Sequence, residues 1–460
     1  MSRSTPHPFT RRALLAGAAA SVSTMAAPPA RNTGKPNVIV FLFDDLGLHD
    51  LGFLGATDLK TPNIDRLAAG GARFSNWYSN APVCAPARSA LMTGRCPLRN
   101  GVARNSMPLR PSEVTIAATL KDAGYRTALT GKWHLGSTPE TVPNAHGFDY
   151  FYGFHEGCTD YFSHRYYWGE PRIVNFHDLW RNRDEIFEDG QYLTERTGDE
   201  AAGFISQRSN KPFFLYTAFN AVHYPMHAPQ KYVNRFRDLD PERRMYAAML
   251  SAADDQVGRI VEAVDRAGQR DNTIMFLLGD NGATTEKRAG LNQRPATAGR
   301  NTPYRGFKFS TFDGGMHVPG VACWPGRIPA GSHVREIVMT ADIFPTVCRL
   351  AGAALPQCTL DGRDIWPVIT DGAKSPHSFI CWTEGPQRAI RKGPWKLVLN
   401  GITHDGTPEG SKPLEGDDAV FLSNVESDPG ESRNLRHEHP EIVDEMQTEL
   451  EKWLRDVQSP

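Results

Sequence analysis

The chain lacks an excess of either charge: 51 lysines and arginines against 52 aspartates and glutamates leave a formal net charge of −1. No global field draws in nucleic acid or an anionic membrane, so an anionic substrate must be held by local cations. Metal-type cysteine spacing is also missing. The seven cysteines, at positions 84, 96, 158, 323, 348, 358 and 381, form no Cys-x-x-Cys pair, which argues against a thiolate metal centre. Beyond the first thirty or so residues no stretch reaches the ~18 apolar residues of a membrane span, and neither an internal repeat nor a low-complexity tract is visible. With 40% hydrophobic and 22% charged residues over 460 positions, the chain has the composition of a globular protein with a large core in one or two domains.

What is present begins with Thr10-Arg11-Arg12-Ala13-Leu14-Leu15, which opens an alanine-rich apolar run to about Ala27. Paired arginines before a modest apolar segment fit a twin-arginine export signal over residues 1–33. An ordinary secretory leader with a chance Arg pair is the alternative. Either predicts a chain without stable membrane insertion, in the periplasm or outside the cell, whose fold begins near Gly34.

Asn37 to Phe43 is a continuous apolar run rich in β-branched and aromatic residues, as in a strand covered on both faces, and it ends in Asp44-Asp45. Thr273 to Leu278 repeats the pattern and ends in Gly279-Asp280-Asn281-Gly282. Carboxylates at strand ends are where α/β sheets bind ligands. Amphipathic patterns predict helices over 62–70, 114–124 and 243–266, and strands over 127–129 and 212–219. The alternation predicts an α/β fold with a largely parallel sheet and helices on both faces over 34–370. From 371 to 460 the texture changes. Runs at 395–399 and 419–422 with a helix at 441–457 predict a smaller α+β domain. The cysteines at 348 and 358 are the nearest candidates for a disulfide, with two buried thiols as the alternative, and segments 163–195 and 283–305 read as active-site loops.

The chemistry is concentrated in Cys84-Ala85-Pro86-Ala87-Arg88, followed by a short helix and Thr93-Gly94-Arg95. This resembles the signature of the formylglycine-dependent sulfatases, of alkaline-phosphatase-like fold. The resemblance runs from about 36 to 435 and includes Val425-Glu426-Ser427-Asp428-Pro429-Gly430-Glu431. It implies that a maturation enzyme oxidises Cys84 to an aldehyde, formylglycine. One hydroxyl of its hydrate attacks sulfur, and the second loses its proton to eject sulfate. It further implies that Asp44, Asp45, Asp280, Asn281 and residue 84 hold a divalent cation. An all-oxygen set suits calcium (Ca2+) or magnesium (Mg2+), and the family usually holds calcium.

Three further blocks carry the resemblance. Gly131-Lys132-Trp133-His134-Leu135-Gly136 implies Lys132 on the sulfate and His134 as a base, with both side chains on one side of an extended segment. Asn220 to His227 implies His223 as the residue that contacts the ester and protonates the leaving oxygen. Tyr304 to Pro319 implies Lys308 on the sulfate, with two departures: Asp313 where Glu is commoner, and His317 where Arg is commoner. The first shortens a carboxylate expected to orient the loop, and the second removes a permanent charge and is expected to alter the support behind Lys308 or make it pH-sensitive. Arg88, Lys132, Lys308 and the histidines would line the site with positive charge.

These residues predict a sulfuric ester hydrolase acting on a sulfated small molecule or carbohydrate, with His164, Arg165, Tyr166, Tyr167 and Trp168 able to contact a sugar. A phosphomonoester or phosphonate hydrolase on the same scaffold, and a non-catalytic glycan-binding protein, are the alternatives.

Overall fold

Strand β1 is Asn37–Phe43, buried at every position. Its side chains alternate between two cores, as a period of two requires. Ile39, Phe41 and Phe43 pack with the helices Leu193–Ser206 and Pro241–Arg266. Val38, Val40 and Leu42 pack with the helices Cys84–Thr93, Ile116–Asp122 and Ile343–Ala351. Each such fully buried side chain contributes roughly 1.5–3 kcal/mol. The computed structural model describes residues 1–2, 34–168 and 173–458, so the proposed export leader lies outside the described residues, its first two apart. Among the described residues no helix is long and apolar enough to cross a membrane.

The next strands are β2 (Ala72–Phe74), β3 (Trp77–Tyr78), β4 (Arg126–Lys132), β5 (Tyr150–Phe154), β6 (Trp180–Arg181), β7 (Asp184–Glu185) and β8 (Phe213–Ala218). They are followed by β9 (Thr273–Gly279), β10 (Gly320–Cys323), β11 (Ser332–Val334) and β12 (Val338–Met339). The C-terminal set is β13 (Ile380–Glu384), β14 (Gln387–Lys392), β15 (Trp395–Leu399) and β16 (Val420–Asn424). Ten strands form one sheet in the order β11-β2-β10-β9-β1-β8-β4-β5-β6-β7. Its centre, β9-β1-β8-β4-β5, is parallel, while β10, β6 and β7 pair antiparallel to their neighbours.

Strands β13 to β16 form an antiparallel meander. One face, with Trp382, Ala389, Val398 and Phe421, packs on Tyr78, Phe312 and Met316. The other, with Ile390, Leu397 and Leu422, is covered by Val443, Met446 and Leu450 of the helix Pro440–Gln458. From Gly34 onward the chain makes one compact unit.

Several element boundaries differ from the sequence reading. The helix expected over 114–124 is Ile116–Asp122, because the Thr115 hydroxyl caps it by accepting from the Ala118 amide. The strand expected over 127–129 runs the whole length of β4. Segment 163–195 contains β6 and β7, and segment 283–305 contains two short 3-10 turns, Lys287–Ala289 and Leu291–Gln293. All seven cysteines are free thiols. The candidate pair Cys348 and Cys358 is not bridged: Cys348 is a thiol buried in a hydrophobic core, whereas Cys358 is exposed.

Candidate active site

Sheet register assembles the site. Phe43 of β1 lies opposite Gly279 of β9, and the Asp280 amide donates to the Phe43 carbonyl at 2.9 Å. On the other side Leu42 lies opposite Ala218 of β8, and the Asp44 amide donates to the Ala221 carbonyl at 3.1 Å. Gly131 of β4 also lies opposite Ala218, so Lys132 ends its strand at the same edge. Parallel pairing thus brings Asp44, Asp45, Asp280, Asn281, Lys132 and the His223 loop together. Asp45 turns with φ +56°, a conformation aspartate tolerates better than most residues, and its amide donates to Asp280 Oδ1 at 3.2 Å.

Cys84 is the first residue of the buried helix Cys84–Thr93. Pro86 costs nothing there, since the first turn has no intrahelical acceptors for its N–H groups, and Asn105 Oδ1 accepts from the Ala85 amide at 3.0 Å. The Cys84 thiol lies 3.3 Å from Asp44 Oδ1 and 4.0 Å from Asp45 Oδ1. Arg88, one turn on, lies on the same helix face. Its Nε and Nη2 donate to Asp280 Oδ2, Nη2 sits 3.5 Å from Asp44 Oδ2, and Nη1 donates to the Lys132 carbonyl. Arg88, like the two lysines, is therefore paired with buried carboxylates. It holds the aspartates in place.

The two lysines stand on different aspartates. Lys132 Nζ is 2.5 Å from Asp44 Oδ2, and Lys308 Nζ is 3.0 Å from Asp45 Oδ2. Lys308 also lies 3.4 Å from His223 Nε2 and 3.4 Å from Glu286 Oε2. His223 Nδ1 faces the Tyr224 carbonyl at 2.9 Å. A carbonyl only accepts, so Nδ1 carries the proton and Nε2 presents a lone pair. Burial, aided by Lys132 and Lys308 against Asp44, holds the His223 pKa well below the usual imidazole value.

His134 does not continue an extended segment with Lys132, as expected from sequence. Its backbone turns to φ +58° beyond the end of β4. The ring nevertheless lies within electrostatic reach of Lys132, Arg88, Asp44 and His223, and burial with the two nearer cations keeps it neutral. A Cβ on Gly157 would stand 2.5 Å from His134 Nε2, so the glycine makes room for the ring. His134 Nδ1 is buried and has no hydrogen-bond partner among the described residues.

The carboxylates are unequally compensated. Burial opposes ionisation of Asp44, yet Lys132, His223, Arg88 and Lys308 hold its pKa well below the ordinary value. Burial pushes Asp45 up to about 7 against Lys308, with Asp44, Asp280 and Glu286 adding to the rise. Burial and Asp44 raise Asp280 as well, against Arg88. The donor atoms of Asp44, Asp45, Cys84 and His223 lie within 4.8 Å of one another. Asn281 donates from Nδ2 to Asp45 Oδ1 at 2.7 Å, while its Oδ1 is buried and unpartnered among the described residues. Buried carboxylates that their cations leave incompletely stabilised, beside an orphaned amide oxygen, fit a hard divalent cation. Asp44, Asp45, Asp280 and Asn281 would hold it through oxygen.

The two departures from the family pattern lie behind this layer. Asp313 accepts from Lys396 Nζ at 2.6 Å and from the Tyr78 hydroxyl at 2.7 Å. His317 is buried, donates to the Ser75 carbonyl at 2.7 Å and is pushed down to about 4 by burial. Among the described residues Lys308 is partnered by Asp45, Glu286 and His223, and not by Asp313 or His317. Glu286, Asn105 and Lys396 escaped the sequence reading, because single polar residues in loops or late strands carry no periodic signal. In the 163–195 segment His164 is buried, with Nε2 on the Gln191 carbonyl at 3.0 Å, and is not available to a sugar. His227 pairs with Asp160 at 3.0 Å.

A buried nest of carboxylates, cations and a cysteine at the edge of a doubly covered parallel sheet defines a hydrolase centre of the alkaline-phosphatase-like fold. The Sulfatase family model matches residues 36–353, and the chain belongs to the sulfatase family. It is 30% identical to arylsulfatase J of Mus musculus over 92% of this chain and 76% of that protein. It is 33% identical to N-acetylgalactosamine-6-sulfatase of Canis lupus familiaris over 84% of this chain and 74% of that one. Among solved structures, Ps i-CgsB in complex with k-i-k-neocarrahexaose superposes with a TM-score of 0.79 at 32% identity, covering 91% of this chain and 92% of that one. The chain is a sulfuric ester hydrolase.

Proposed function

We propose that the enzyme hydrolyses sulfate esters of carbohydrates, with formylglycine derived from Cys84 as its nucleophile and calcium, or magnesium in its place, bound by Asp44, Asp45, Asp280 and Asn281. The observation that carries this reading is the state of the unmodified thiol. Burial and the Asp44 carboxylate push the Cys84 pKa well above the ordinary thiol value. No thiolate is available near neutrality, and a thiol is a poor nucleophile. A hydrated aldehyde at that position would supply two geminal hydroxyls, and a divalent cation beside it would favour their ionisation.

The chain's own side chains have separate tasks. Lys132 and Lys308 bind sulfate oxygens. Arg88 keeps Asp280 oriented. His134, neutral and with a free Nδ1, accepts a proton from a hydroxyl at position 84. His223 is neutral in the empty site, and the negative charge of an entering ester offsets the nearby lysines and favours its protonated form. It then donates from Nε2 to the departing sugar oxygen. The near-complete burial of Cys84, Lys132 and Lys308 excludes water from these transfers.

A carbohydrate substrate is supported by the named relatives, one an N-acetylgalactosamine-6-sulfatase and another solved with a neocarrahexaose. The paired arginines of the leader support maturation for export to the periplasm or beyond. The test is mass spectrometry of the Cys84 peptide together with turnover of 4-nitrophenyl sulfate and 4-nitrophenyl phosphate. We expect an aldehyde at position 84, preference for the sulfate, and no turnover after Cys84→Ala. Sustained activity of a chain that carries only thiol or alanine there overturns the nucleophile assignment.

A further inference from the structure

Arg288 stands beside Lys308 and has no part in the chemistry described so far. Glu286 grips both cations. Its Oε2 lies 3.4 Å from Lys308 Nζ, and its Oε1 accepts from Arg288 Nε at 2.9 Å and from Arg288 Nη2. The two cations are thus one carboxylate apart. They also share an aromatic ring: Lys308 Nζ is 5.9 Å and Arg288 Cζ 5.0 Å from the Tyr224 centroid.

The guanidinium is held flat. Arg288 Cζ sits 3.7 Å from the Trp168 ring centroid. Trp168 is itself braced by Tyr166, near-parallel at 6.2 Å, and Tyr166 by Phe176 at 5.0 Å. Glu286 thus fixes one edge of the fork and the rings fix its plane, while among the described residues Nη1 has no hydrogen-bond partner. The side chain is 21% exposed. A planar, preorganised guanidinium with a free edge suits a carboxylate or sulfate group. Arg288 is not needed to anchor the catalytic lysine, which already has Asp45.

We infer that Arg288, set by Trp168, Tyr224 and Glu286, binds a second anionic substituent of the substrate next to the scissile sulfate, so that the enzyme prefers sugars carrying two anionic groups. This rests on the sulfated-carbohydrate reading above.

The test is calorimetric titration of the full chain carrying Cys84→Ala, which cannot turn substrate over. The probes are N-acetylgalactosamine 6-sulfate against its 4,6-disulfate, and glucosamine 6-sulfate against its 2-N,6-O-disulfate. In at least one pair the disulfate is expected to bind roughly tenfold tighter, as a charge-assisted contact allows. Arg288→Ala should abolish that ratio, and Arg288→Lys should keep part of it by retaining charge without the stacked fork. Equal affinity for both members of each pair overturns the proposal, even if the Arg288 variants do not fold. Equal weakening of both members by Arg288→Ala also overturns it, since Arg288 would then act only through Glu286 and Lys308. Failure of the carbohydrate reading looks different: no sugar of either pair binds, while the matured wild-type chain still hydrolyses 4-nitrophenyl sulfate. That result removes both readings together.

Discussion

Arg88 Nε and Nη2 both donate to Oδ2 of Asp280, at 3.1 and 2.7 Å, with both side chains fully buried. The pair joins the helix that begins at Cys84 to the end of β9, and it compensates a carboxylate that burial would otherwise drive towards neutrality. Replacing Arg88 by Met leaves that carboxylate buried and unpaired, a change that costs about 3–5 kcal/mol. Urea unfolding of the metal-free variant should show that loss. Addition of calcium should then recover more stability in the variant than in the wild type, because a positive charge beside the cation has gone. A destabilisation within the error of the measurement would show that Arg88 is dispensable to the aspartate cluster.

Among the described residues Asn281 Oδ1 has no hydrogen-bond partner, although Nδ2 of the same side chain is bonded to Asp45. A ligand that binds only the folded state at about 100 times its Kd adds roughly 2.7 kcal/mol. Chelation should therefore lower the melting temperature and abolish turnover, and calcium should restore both. In Asn281→Leu the calcium-dependent rise should shrink, since one oxygen donor is lost. An undiminished rise would place the ion on other residues.

His223 gives a prediction that separates proton donation from binding. General acid help is typically worth 10²–10⁴ in rate, but only when the leaving oxygen is basic. His223→Ala should reduce kcat on a sugar sulfate by about that factor and reduce it much less on 4-nitrophenyl sulfate, whose phenolate departs unaided. Equal losses on the two substrates would assign His223 to sulfate binding alone.

Much of this site was legible before any coordinates, because the apolar runs of β1 and β9 each stop in carboxylates and strand ends in parallel sheets converge. Lys308 and His223 were legible only through family blocks, which name residues without their partners. The division of labour was not legible. Arg88 and Lys308 read alike as cations in a line of text, yet one is spent on Asp280 and Asp44 while the other touches Asp45, His223 and Glu286. In sequence Asp313 reads only as a shortened carboxylate within the Lys308 block. Its true partner, Lys396, comes from β15 of the C-terminal sheet, 83 residues later. Such pairings depend on how layers pack, and no local pattern encodes them.

A last prediction concerns stability and pH. His146 is 3% exposed, its Nε2 has no partner among the described residues, and its ring lies 5.7 Å from that of Trp133. Burial pushes its pKa down to about 4, against about 6.5 in an unfolded chain. Between those values the unfolded state binds more protons than the folded one, so stability rises with pH across the window and is lost as pH falls from about 6.5 to about 4, levelling off below. The expected loss between pH 7 and pH 5 is about 2 kcal/mol. Other groups titrate in the same range, so the informative quantity is the difference between wild type and His146→Gln, in which their contributions cancel. Chemical denaturation at the two pH values should show a smaller drop in the variant, by about that amount. Identical pH dependence in both chains would mean that His146 already reaches solvent or a proton acceptor in the folded state.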